Sequence, residues 1–190
     1  MPDDDARVAE AVARIDAANA LDPHGRELLY SQRMSAWLGR IAPDASVALK
    51  LAARAQHIRR WSIPRSDYPM DRIGYLKWRT TLYKFHAEET AKILHEVGYD
   101  EATIVRVASL IRKEQIKSDA EAQTLEDVIC LVFLENYFAD FAAEHEAEKV
   151  INILRKTWKK MSERGRKVAL TLEIPAAAKA LVERALSSEV

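Results

Sequence analysis

In segment after segment of this chain, apolar residues recur three and four positions apart, and no convincing run alternates apolar and polar residues between turn signals. Spacing of that kind gathers side chains onto one face of a helix, whereas strands require a period of two, so an all-α fold is expected. Composition agrees with the pattern: 190 residues contain only five Gly and six Pro, and the good helix formers Ala, Leu, Glu, Lys and Arg dominate. A chain of this length buries enough surface to fold without disulfides or a structural metal, and a single domain over residues 1–190 is expected.

The helices can be placed from their punctuation. An acidic start at Asp5 precedes Val8, Val12 and Ile15, and Asp22-Pro23 ends that helix. A second runs from about Gly25 to Arg40 and a third from Asp44 to about Arg60, where the two prolines of WSIPRSDYPM forbid continuation. From Asp71 to Val97, Tyr75, Trp78, Leu82, Phe85 and Ile93 mark one long helix or two nearly continuous ones, closed by Gly98. Ile104, Val107, Leu110 and Ile111 stripe the next helix. The segment from Leu125 to Phe141 is apolar over much of its circumference and belongs at the centre of a bundle. Another helix spans about Glu144 to Lys160, and a loosely attached C-terminal helix follows Pro175.

Several function classes are disfavoured at once. Lys plus Arg equals Asp plus Glu at 29 each, so no overall positive field drives binding to nucleic acid, and any such binding must be local. Cys130, the single cysteine, lies in the apolar run VICLVFL, which excludes an internal disulfide or a cysteine zinc site and fits a buried thiol in a reducing compartment. The acidic start MPDDDARVAEAV lacks the order of a signal peptide, and no apolar run reaches the length of a membrane span. A cytoplasmic protein with no membrane partner is expected.

Candidate chemistry gathers on two histidines and a basic stretch. His24, His95 and His145 have ordinary explanations in a turn, at a helix C-terminus and in a charged run. His57 follows Gln56 near the mouth of the expected bundle, and His86 has Glu89 and Thr90 on its own helical face. Either histidine could ligate a metal or act as a tuned base, and either could be a satisfied interior side chain. Between residues 50 and 84 stand nine Lys and Arg against two Asp, interleaved with Trp61, Tyr68, Tyr75 and Trp78. Guanidinium groups fork onto phosphate and aromatic rings stack on a base, so this region suits a phosphorylated ligand with a planar part; a solvated helix face is the plain alternative. Asp127 fits a helix-capping pattern in Thr124-Leu125-Glu126-Asp127.

The order of these motifs resembles the HD-type phosphohydrolases. YSQRM, from Tyr30 to Met34, stands where that superfamily has HSxRV, and QHIRR, from Gln56 to Arg60, where it has HDIGK. His86 stands for a further histidine, Asp127 for the last aspartate, and Lys113 lies about where some members carry another histidine. The resemblance implies an HD-like helical core over about residues 25–144, C-terminal helices over about 145–188, and one divalent metal ion held by a rearranged set of His57, His86 and Asp127, which would also be the catalytic residues. Tyr30, Gln56, Arg59, Arg60 and Arg65 would then bind the ligand. ELLYSQRMSAWL, ARAQHIRRWSIPRSDYPMDR, GYLKWR and TLEDVICLVFLE also resemble an uncharacterised family catalogued as domain-of-unknown-function family 4202.

Two functions follow as expectations: a metal-dependent phosphohydrolase acting on a phosphorylated small molecule or nucleotide, or a non-catalytic adaptor that kept the bundle after its metal ligands were replaced. A third, weaker expectation is a structural protein that forms a homodimer through its C-terminal helix.

Overall fold

The computed structural model describes residues 4–116 and 118–187. Among them the fold is all-α, with no strand. The chain divides into two compact units, Met1–Ile116 and Lys117–Val190. The division falls ahead of the most apolar helix, not near residue 145, where the HD-type resemblance puts the end of its core.

The first unit contains α1 (Asp4–Asn19), α2 (Glu27–Ile41), α3 (Val47–Arg54), α4 (Arg72–Val97) and α5 (Glu101–Ile111). Helix α4 packs on α5 and α1, and α3 packs on α5, α2 and α1. Ile15, Met34, Leu51, Ile58, Leu82, Leu94 and Ile111 lie fully inside. Boundaries follow the local chemistry expected of them. Ser46, Asp71 and Asp100 cap α3, α4 and α5 by accepting from backbone N–H groups, and Gly98 closes α4 with φ 85°, a left-handed conformation that favours glycine.

Two features of this unit depart from the expected pattern. Helix α3 stops at Arg54, not near Arg60, and residues 55–59 form turns. The reason is tertiary: Asn19 Oδ1 accepts from the Arg59 backbone N–H at 3.0 Å, and His86 Nδ1 donates to the Ile58 carbonyl at 2.8 Å. Side chains from α1 and α4 thus satisfy the Arg59 N–H, which a longer α3 would have paired internally, and the Ile58 carbonyl. Arg59 sits at φ 50°, a conformation that costs a non-glycine residue about 1 kcal/mol or more. In α4 the inward face carries Leu82, His86, Thr90 and Leu94, whereas Tyr75 is 42% exposed. Its first turn is pinned at Gly74, where an added Cβ would collide with the Pro69 carbonyl, so WSIPRSDYPM packs closely over the helix start.

The second unit contains α6 (Ala120–Asn136), α7 (Phe138–Ala143), α8 (Ala147–Lys160), α9 (Glu163–Ala169) and α10 (Ala176–Ser187). As its composition demands, α6 is the central element, packed by α7, α8 and α9 and burying Leu125, Val128, Leu131 and Val132. Its cap is Asp119, so α6 begins before Thr124 and Asp127 lies within the helix, not in a first-turn capping box. Helix α10 lies on α8 and α7 and buries Ala178 and Ala185 in its own chain. Cys130 is buried. No helix among the described residues is long and apolar enough to cross a membrane.

Candidate functional site

Three expected site residues, Tyr30, His57 and His86, come together in the first unit. The buried Asp22 carboxylate accepts from the backbone N–H groups of His24, Arg26 and Glu27, which fixes the start of α2. Glu27 and Tyr30, one helical turn apart, then share a face of α2. The turn after α3 presents His57 to that face: the Tyr30 and His57 rings stack with centroids 3.8 Å apart and planes 8° from parallel. His57 Nδ1 lies 3.3 Å from Glu27 Oε2. The His86 ring centre, from α4, is 6.1 Å from that of His57. Gln56, the neighbour of His57, is buried.

A polar scaffold beneath the turn holds this geometry. Buried Asn19 donates to Ser31 Oγ at 2.7 Å while accepting from the Arg59 N–H. Arg54, also buried, forks onto Asp16 through Nε at 2.7 Å and Nη2 at 2.5 Å. Both ends of the 55–59 turn are thereby tied to α1 and α2 by charge-assisted or fully buried hydrogen bonds.

Burial and neighbouring cations set the protonation of the cluster. Burial, followed by the charges of Arg60, Lys113 and Arg79, holds His57 well below the usual histidine range. Burial and the neighbouring His57 lower His86 to about 3. Both rings are therefore neutral at pH 7. Burial pushes the Glu27 carboxyl up to about 7. With His57 neutral, the 3.3 Å Glu27–His57 contact is not an ion pair at pH 7.

Because the Ile58 carbonyl can only accept, His86 Nδ1 carries the proton and Nε2 keeps its lone pair. That nitrogen is buried without a hydrogen-bond partner, as is Gln56 Nε2. An unmatched buried polar group costs roughly 1–3 kcal/mol; the His86 ring centre is 6.1 Å from that of His57, and Gln56 is the residue before His57.

Aromatic rings surround the cations. Arg60 lies 4.6 Å over the Trp78 ring, Arg79 lies 5.3 Å over Tyr83, and Lys113 Nζ is 5.6 Å from the same Tyr83 ring. Lys113 has φ 59°, a second strained non-glycine backbone, and like Arg59 it adjoins this cluster.

The sequence pattern of a family described as a domain of unknown function, DUF4202, matches residues 9–182. The chain belongs to that family. Neither the curated proteins nor the solved structures give a match.

Three of the residues expected at the site are engaged elsewhere. Arg59 turns its side chain to Glu89, 3.5 Å away, and lines a separate cleft with Arg14, Leu21, Lys92 and Glu96. Arg65 donates to the carbonyls of Tyr68, Pro69 and Asp71, so it staples its own loop. Asp127 belongs to the second unit, where its carboxylate accepts from Ser162 N at 2.8 Å, from Ser162 Oγ and from Gln123 Nε2 at 3.1 Å. Gly165 admits that carboxylate: a Cβ there would stand 2.6 Å from Asp127 Cγ.

The metal centre implied by the HD-type resemblance does not fit these residues, and the set His57, His86 and Asp127 is corrected accordingly. Among the described residues no group of three or more His, Cys, Asp or Glu is arranged to hold an ion. Asp127 already accepts three hydrogen bonds within its own unit. The positive field that drives a proton off His57 also opposes a divalent cation beside it.

Glu27 was not legible as a site residue, since nothing local distinguishes it from any acidic residue in a first helical turn. Arg79 and Lys113 were visible only as members of a basic stretch and of a motif order. The second unit holds a different kind of space, an apolar cavity of about 130 Å³ lined by Leu134, Leu154, Trp158, Leu172 and Val182, with Thr157, Lys179 and Glu183 as its polar members.

Proposed function

We propose that this DUF4202 protein binds a phosphorylated, nucleotide-like ligand at the Tyr30–His57–Arg60 centre of its first unit. The observation that carries the reading is the set of cations held on aromatic rings near His57: Arg60 over Trp78, and Arg79 and Lys113 over Tyr83. Guanidinium and ammonium groups gathered in this way suit a phosphate. Trp78 and Tyr30 supply flat surfaces for a planar ligand group, and the unpartnered lone pair of His86 Nε2 awaits a donor.

The same reading accounts for the HD-type motif order. Tyr30, His57 and His86 occupy motif positions where that superfamily has metal ligands, and they lie side by side in this chain. We read the protein as an HD-like bundle in which a cation centre has become an anion centre, working without a metal in the cytoplasm. The buried single thiol of Cys130 suits that compartment.

Calorimetric titration of the full chain with nucleoside mono-, di- and triphosphates, in the presence of EDTA and at low and moderate salt, tests the reading. One charge-assisted contact contributes about 1.5–3 kcal/mol, so Arg60→Ala should weaken binding by about ten- to a hundredfold. Arg59→Ala, whose side chain faces the other cleft, should change it less than about twofold. No binding across the panel, or equal losses in both variants, would refute it.

A further inference from the structure

We infer that His57 is a phosphoryl-accepting nucleophile: its Nε2 takes a terminal phosphoryl group from a phosphoanhydride and passes it to water, with Glu27 as the positioning residue. The inference rests on the binding reading above and adds a reaction to it.

The geometry supplies each part such a step needs. Glu27 Oε2 lies 3.3 Å from Nδ1, on that side of the ring, and Nε2 is the nitrogen turned away from the carboxyl. Tyr30, stacked flat on the imidazole, fixes the ring plane. His57 is a quarter exposed, unlike the enclosed His86, so a ligand can reach it. Arg60, three residues on and held over the Trp78 ring, and Arg79 and Lys113, which share the Tyr83 ring, supply the positive charge that phosphate oxygens need. A neutral imidazole with a carboxyl beside one ring nitrogen and cations nearby has the parts of a histidine in covalent catalysis.

The step balances without a metal. The Nε2 lone pair forms the N–P bond while the bridging P–O bond breaks, and its electrons leave with the bridging oxygen on the departing phosphate. A phosphoanhydride leaving group is stable as an anion, so no general acid is required; a phosphate monoester would have to expel an alkoxide, and no acid stands assigned to protonate it. The phosphorylated ring carries a positive charge shared over both nitrogens, and the Glu27 carboxylate stabilises it through the Nδ1 proton. Water then attacks phosphorus, the N–P bond returns its electrons to Nε2, and orthophosphate and a proton are released.

Protonation of Glu27 reverses the tautomer: a Glu27 hydroxyl would donate to Nδ1 and move the ring proton to Nε2, which blocks attack. The charged and titratable groups facing this pair are Asp22 and Arg26 beside Glu27, Arg60 from the turn, His86 and Arg79 from α4, Lys113 after α5, and Tyr30 on α2. Labelling should therefore rise with pH across neutrality.

The test is rapid-quench labelling of the full chain with β-³²P nucleoside diphosphates and γ-³²P triphosphates in EDTA, followed by mass spectrometry of the alkaline digest. One acid-labile, alkali-stable phosphoryl group on His57 is expected. His57→Gln should abolish it, His95→Gln should leave it unchanged, and Glu27→Gln should slow it at least tenfold and flatten its pH profile. Locating the phosphate in the unaltered protein keeps the result decisive even if the His57 variant fails to fold. Nucleotide binding with no labelling, or labelling at another residue, overturns the nucleophile and leaves the binding reading standing. Absence of binding overturns both.

Discussion

Two buried carboxyl groups of this protein solve opposite problems. Asp127, in the second unit, meets one backbone N–H, one hydroxyl and one amide, and Gly165 gives up its side chain to make room. Glu27, in the first unit, meets a histidine that has been driven neutral, and burial pushes it to about 7. Around Asp127 donors and acceptor match. Near Glu27 stand a lone pair without a donor at His86, an amide donor without an acceptor at Gln56 and strained backbone at Arg59 and Lys113. A matched polar cluster fastens structure together, whereas an unmatched one spends stability on something outside the chain.

The largest effect expected from this contrast is at Asp127. Asp127→Ala strands three donors and should cost about 3 kcal/mol or more, read by denaturant unfolding. Hydrogen exchange should show the loss concentrated in residues 120–169, with nucleotide affinity unchanged under folding conditions. If the variant stays stable yet loses binding, Asp127 is a site residue and the contrast fails.

A smaller effect follows from His86. The unfolded chain binds a proton at this histidine near pH 6.5, whereas the folded chain resists until about pH 3, so stability present above 6.5 is lost as pH falls through that window. The slope contributed is at most about 1.4 kcal/mol per pH unit. His86→Gln should therefore narrow the difference in unfolding free energy between pH 7 and pH 4.5. An unchanged difference would mean that His86 is not held neutral.

Smallest is the change at Glu27, and its sign is reversed. A carboxyl raised to about 7 is favourable when protonated, so its stability contribution is full below about pH 4.5 and is lost as pH rises through 7. Glu27→Gln should stabilise the protein by about 1–2 kcal/mol at pH 8 and by much less at pH 5. A variant that is destabilised equally at both values would place Glu27 with Asp127 as a fastening residue.

Much of this was already legible as pattern. Periodicity fixes the helices, and Asp71, Gly98 and the stripe Ile104, Val107, Leu110 and Ile111 stand where expected, because caps, glycine closures and amphipathic faces act within a few residues. Motif order and the basic stretch singled out Tyr30, Gln56, His57, His86, Asp127, Arg59, Arg60 and Arg65, of which Tyr30, His57 and His86 lie ring to ring. What lay beyond the sequence was direction. Arg59 and Arg60 are neighbours, yet one turns to Glu89 and the other to Trp78, because Asn19, forty positions earlier, holds Arg59 in a left-handed turn.

Local sequence, then, determined most of the helices and their apolar stripes, since those depend on spacing along one element, whereas the end of α3 was set by partners from α1 and α4. The tertiary structure alone decided the charge state of each polar side chain and its partner. Burial and the fields of Arg60, Lys113 and Arg79 make His57 neutral, and Ser162, thirty-five positions away, turns Asp127 from a candidate ligand into a fastening. Electrostatic energy depends on distance through space and on exclusion of water, and neither is a property of position along the chain.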